Sequence, residues 1–340
     1  MNEAQLGSVL FMLPFGSIVA LPVAGWAVHR VGSRLITGAS AIGYALLLVA
    51  IGYCRERWQL SLVLFAFGFF GDLLNIAMNT QGLGVQQKLG RPVLSSMHGL
   101  WSIGALCGAV VGGWTLRRQW ETSSHFWLVA VICVLLSLVV YVFLIADEAS
   151  PSTGHKIFVR PDRALLLFGL ICFCTAVVEG AMADWSSLYY RQVMQDPGKV
   201  STTGYTAFTF AMAIGRLFGD RLIAALRYRR TLILNGIFIA GGLALALGIP
   251  QPLAVIIGYA LVGLGVSSVI PIIYMIAGKS TTMAPAAALA AVSTVGYTGF
   301  LIGPPMIGFI AHETGLRLAL VTVLILGIVI TVVSAKTVRE

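Results

Sequence analysis

The chain is a succession of continuously apolar runs, each about 20 residues long, the length a helix needs to cross about 30 Å of hydrocarbon. Eleven are read, at 6–28, 35–54, 59–83, 94–116, 125–146, 164–190, 201–225, 231–249, 253–277, 285–310 and 317–335. They lack the short alternating pattern of barrel strands, so helices are the spanning elements. Composition agrees: 58% of the 340 residues are hydrophobic and 10% charged, against about a quarter charged in soluble domains. An all-α, multi-pass membrane protein follows.

The formal charge of +9 forms no nucleic-acid patch. Basic residues sit in short clusters between the runs, such as Arg227, Arg229 and Arg230, or Lys156, Arg160 and Arg163. If the 29–34 loop is cytoplasmic, that side collects about 13 Lys and Arg and the opposite side about 7, the bias expected of inward-facing loops. The C-terminus is then cytoplasmic. The five cysteines form no C-x-x-C pair, and neither a metal nor a cofactor is expected.

The longest polar interval, 147–163, contains Pro151, Ser152, Thr153 and Gly154 and reads as a cytoplasmic linker between halves at 1–146 and 164–340. The halves echo one another. Gly104, Gly108 and Gly113 recur about 195 residues later as Gly299, Gly303 and Gly308. Gly7 and Phe11 match Gly204 and Phe208, and Arg34 matches Arg230, at similar offsets. This register puts the partner of the 164–190 run before Met1. The expectation is therefore a twelve-helix design with two pseudo-symmetric bundles, of which this chain supplies five plus six helices.

The first loop, Gly25-Trp-Ala-Val-His29-Arg30-Val-Gly32-Ser-Arg34, resembles the signature between the second and third helices of the major facilitator superfamily. His29 stands where that family usually has Asp. Gly219-Asp220-Arg221 through Arg230 is a more degenerate copy. Ala77–Gly82, Ser95–Ser102, Glu179–Ser186 and Gly296–Pro305 look like the sugar-permease branch related to fucose permeases. The resemblance implies a monomeric transporter of a bacterial inner membrane, with a small solute and protons as partners.

Polar residues inside apolar runs are the candidates for function, since an ionisable group facing lipid costs roughly 2.5–3.5 kcal/mol. Gly68, Asp72, Asn75 and Asn79 share one helix face and read either as a cavity wall for a hydroxylated solute or as a polar seam between helices. In related sugar permeases a carboxylate often matches Asn75, so Asp72 is expected to substitute one turn earlier. Glu179, deep in its run, is the first candidate for proton coupling. Asp184 and Trp185 read as solute contacts or as part of an interfacial belt. Gly25, Arg30, Gly32 and Arg34 in one half, with Arg216, Asp220 and Arg221 in the other, read as cytoplasmic gates or as arginines reaching for the interface. The glycine runs read as packing devices.

No G-x-x-x-x-G-K-[ST] occurs, so an ion gradient would supply the energy. The five histidines are scattered, which argues against an intramembrane enzyme. Uptake of a sugar-like solute by alternating access is the leading expectation. Efflux of small organic compounds and a truncated, non-transporting remnant are the alternatives.

Overall fold

A computed structural model describes residues 3–146, 161–194 and 201–338. Regular structure among them is entirely helical. Five helices come first: α1 (Glu3–Val31), α2 (Ser33–Tyr53), α3 (Arg57–Leu89), α4 (Leu94–Arg117) and α5 (Thr122–Tyr141). Then follow α6 (Arg163–Met194), α7 (Ser201–Gly248), α8 (Pro252–Ser267), α9 (Val269–Ala277), α10 (Pro285–Thr314), α11 (Leu316–Ala319) and α12 (Val321–Thr337). Most of the expected linker, residues 147–160, lies outside the described residues.

Local chemistry explains the interruptions. Gly32, at φ 98°, turns the chain between α1 and α2 in a conformation that suits only glycine. Arg227 leaves helical geometry at φ 63° and ψ 169°, so α7 is two helices in sequence. Pro271 has no N–H to offer the carbonyl four residues earlier, and α8 gives way to α9 at Ser268. With α7 split, and α8–α9 and α11–α12 each taken as one, five helical segments precede the 147–160 interval and six follow it among the described residues, where nine helices are long and apolar enough to cross a membrane.

The chain resolves into two compact units. The first holds Met1–Lys88, Gly104–Pro161 and Gly278–Thr294, and the second Leu89–Ile103, Asp162–Ala277 and Val295–Glu340. The opening turns of α4 thus belong with the helices of the second half, and those of α10 with the first.

Inside each unit the internal repeat is visible in atomic detail. In the first, a Cβ on Gly68 would run into the Leu13 carbonyl oxygen and stand 3.2 Å from the Ser17 amide. In the second, a Cβ on Gly263 would run into the Phe208 carbonyl oxygen and stand 3.1 Å from the Met212 amide. All three pairs of positions are about 195 residues apart, the spacing of the glycine repeat. Arg34 donates to the Tyr141 carbonyl at 3.3 Å and lies 5.0 Å from that ring, closing the end of α5. Its counterpart at the end of α12 is Arg229, which donates through Nε and Nη2 to the Ala335 carbonyl at 3.2 and 2.9 Å. The sequence pairing of Arg34 with Arg230 is therefore one residue out of register.

The two glycine runs differ from one another. Gly299 and Gly303 pack against Phe173, Ala176 and Val177 of α6, as a small-residue face should. Added Cβ atoms on Gly104, Gly108 and Gly112 would meet nothing within 4 Å among the described residues.

A buried amide completes the first unit. Gln81 donates to Ser33 Oγ at 2.8 Å and to the Ile145 carbonyl at 3.0 Å, and accepts the Ile145 amide at 2.8 Å. A cavity of about 420 Å³ lies beside it, lined by Ser33, Thr80, Gln87 and Lys88 among others.

Gly68→Ala and Gly263→Ala are each expected to cost about 1–3 kcal/mol through backbone displacement at a tight crossing. The two costs should add, because different units carry them. Gly104→Ala should leave the melting midpoint in detergent where it was or raise it, and an equal loss at all three positions would refute this packing account.

Candidate functional site

The polar stripe of α3 lies within the first unit. Asp72 and Asn79 are buried and Asn75 is partly exposed. Asn79 Nδ2 donates to Asn75 Oδ1 at 2.8 Å, and Asn75 Nδ2 donates to Asp72 Oδ1 at 3.1 Å. This directed ladder of amides ends on a carboxylate, which is how a charge inside hydrocarbon keeps partners. Tyr44 of α2, stacked on Phe67 at 4.0 Å, stands within electrostatic reach of Asp72. Asp72 and Asn79 are buried, and Asn75 is the member of the three with exposed surface.

In the second unit α6 presents Glu179, Asp184 and Trp185. Asp184 is exposed. The Trp185 ring would touch a Cβ on Gly308 at 3.2 Å, and its indole nitrogen is buried without a hydrogen bond among the described residues. Tyr205 of α7 lies within electrostatic reach of both Glu179 and Asp184.

Arg216 and Asp220 are one turn apart on α7, a spacing that suggests they pair. They do not. Arg216 lies 11 residues, about 16 Å, before the break at Arg227, inside the span and not at its end. Its Nη2 lies 3.6 Å from Glu179 Oε1, and its Nη1 donates to Ser102 Oγ of α4 at 2.9 Å.

Asp220 instead closes the start of α4. Its Oδ1 accepts the Ser95 amide at 3.0 Å and its Oδ2 the Ser96 amide at 2.7 Å. The first N–H groups of a helix have no partner within it, and the positive end of the helix dipole favours an anion there. The first turn of α4 holds no acidic residue, so the carboxylate is imported from α7. Ser95 Oγ adds a bond to the Arg216 carbonyl at 2.9 Å. Glycines let the helices approach: a Cβ on Gly219 would strike Ser95, and one on Gly99 would lie 2.7 Å from Leu217. His98, on the same face of α4, has its ring 6.3 Å from that of Tyr274 and feels the charge of Arg216.

The other expected gate residues are more dispersed. Gly25 packs on α10, where a Cβ would stand 3.1 Å from that of Ala290. Arg30 is exposed, and Arg221 is exposed with its guanidinium 5.4 Å from the Phe218 ring. Sequence reasoning read Ser95, Ser96 and Ser102 only as part of the permease-like stretch Ser95–Ser102 and gave them no role at the site.

The Major Facilitator Superfamily profile matches residues 1–281. The chain belongs to this superfamily. An uncharacterised MFS-type transporter of Yersinia pestis is 31% identical over 94% of this chain and 83% of its own length. A multidrug resistance protein, MdtG of Klebsiella pneumoniae, is 26% identical over 61% of this chain and 53% of its own length. Among solved structures, the fucose transporter FucP in its outward conformation superposes with a TM-score of 0.80 at 16% identity, covering 100% of this chain and 91% of FucP. Family and relatives are transporters and not enzymes, and the chain is a multi-pass membrane protein of that fold.

Asp220→Ala would strand two helix-start amides and is expected to cost about 3 kcal/mol. Asp220→Asn should cost less, because its one carbonyl oxygen still accepts. Unfolding midpoints in detergent check the order, and equal midpoints for wild type and D220A would remove the cap from the account.

Proposed function

We propose that this superfamily member is a secondary transporter moving a small, sugar-like solute by alternating access with proton coupling. In this reading Glu179 is the proton site, the α4–α7 seam is a cytoplasmic gate, Asp184 and Trp185 are solute contacts in the second unit, and Asn75 is a candidate solute contact in the first. Asp72, at the end of its amide ladder, is the second proton candidate. The C-terminus faces the cytoplasm, and the protein acts as a monomer in a bacterial inner membrane.

One observation carries the reading. Arg216 joins the candidate proton site to the candidate gate: its side chain faces Glu179 and Ser102, its carbonyl holds Ser95, and Asp220 holds α4 one turn on. A proton on Glu179 cancels the charge that faces Arg216. The guanidinium then relies on Ser102 alone, and the seam it stiffens is easier to part. Gradient-driven energy fits a chain without a nucleotide-binding loop. Likeness to FucP, described as a fucose:proton symporter, supports uptake. Likeness to MdtG supports efflux as the second reading.

Proteoliposomes holding the full chain test both, with L-fucose, glucuronate and ethidium as probes under an imposed pH gradient. Inward accumulation of at least one of the two sugar probes is expected. Glu179→Gln should abolish accumulation against a gradient while sparing solute exchange across the membrane. Accumulation by E179Q at the wild-type level would dismiss Glu179 as the proton site, and ethidium extrusion alone would select efflux.

A further inference from the structure

We infer that the solute carries a carboxylate, held by the side-on edge of Arg216. The inference rests on the transporter reading above, in which solute reaches this part of the second unit. A guanidinium has two ends. Nη1 of Arg216 is committed to Ser102 Oγ at 2.9 Å. Nε and Nη2 share the other edge, the pair of parallel N–H groups that matches two carboxylate oxygens. On that edge Nε is buried and makes no hydrogen bond among the described residues. Among the described residues Nη2 faces Glu179 Oε1 at 3.6 Å, a separation that leaves an ion pair but no hydrogen bond.

The arginine is thus oriented but not satisfied. Its side chain is 9% exposed, whereas that of Glu179 is 25% exposed, so the accessible surface of the pair lies on the Glu179 side. A buried cation with an idle donor is costly to maintain. A planar anion entering past Glu179 would supply both missing acceptors at once. A neutral hydroxyl would occupy one donor and leave the charge in place. The Glu179 carboxylate occupies the approach to the fork, so it competes with the solute. Ser102 keeps the guanidinium from rotating to follow either.

Binding is measured on the purified full chain in detergent, by thermal stabilisation, with glucuronate, lactate and acetate against neutral glucose. At least one carboxylate, glucuronate foremost, is expected to bind about tenfold or more tightly than glucose. Arg216→Lys, which keeps the charge and loses the fork, should cancel that preference. Glu179→Gln should tighten carboxylate binding several-fold, a gain that a purely structural ion pair would not give. Should R216K fail to fold, E179Q decides alone. Glucose bound as tightly as every carboxylate, a preference that survives R216K, or carboxylate binding not tightened in E179Q would each overturn the inference. The assay needs no gradient, so its failure is distinct from failure of proton-driven uptake.

Discussion

In hydrocarbon, an unpaired backbone N–H or C=O costs several kcal/mol, and this one constraint organises the chain. Helices satisfy their own middles but leave groups open at each end. Here other helices supply what is missing. Asp220 closes the start of α4, Arg34 the end of α5, and Arg229 the end of α12. Arg317 donates to the Leu247 carbonyl at the end of α7 at 3.0 and 2.6 Å. Gln81 serves both backbone groups of Ile145. Much of the polar side chain that so apolar a sequence carries is spent at helix ends.

What remains polar within the spans is arranged in two ways. Asp72 sits at the end of a ladder of amides that donate toward it along its own helix, with Tyr44 of α2 within electrostatic reach. Arg216 and Glu179 form a loose pair, with one nitrogen unused. The first arrangement is suited to holding a helix together, and the second to exchanging partners. Both lie among glycine-mediated crossings, where backbones approach closely enough for short side chains such as Ser95 and Ser102 to reach across.

Much of the fold was legible because the bilayer fixes helix length, and the runs at 35–54 or 164–190 differ from α2 and α6 by only a few residues. The repeat was legible through the spacing of Gly104 and Gly108 with Gly299 and Gly303, although the equivalent crossings at Gly68 and Gly263 were not among the matched pairs. The site was legible only in part. Glu179, Arg216 and Asp220 stand out as charges in apolar runs, yet their i, i+4 spacing pointed Arg216 at Asp220. The competing partners, the amides of Ser95 and Ser96 and the hydroxyl of Ser102, lie more than a hundred residues away. Spacing along one helix carries no record of such pairs. Gly104, Gly108 and Gly112 show the converse, a packing pattern without a packing partner among the described residues.

The cap on α4 joins a side chain to main chain. Asp220 grips the amides of residues 95 and 96, and any residue but proline offers those amides equally. Arg34, Arg229 and Arg317 likewise hold carbonyls. Selection can therefore act on one member of each pair while the other drifts. Among homologues these contacts would leave little trace as correlated substitutions, so a contact map inferred from co-variation would under-record the joints that fix the helix ends. The aspartate and arginines would stand out instead as solitary invariant positions, with no visible reason in the sequence for their constancy.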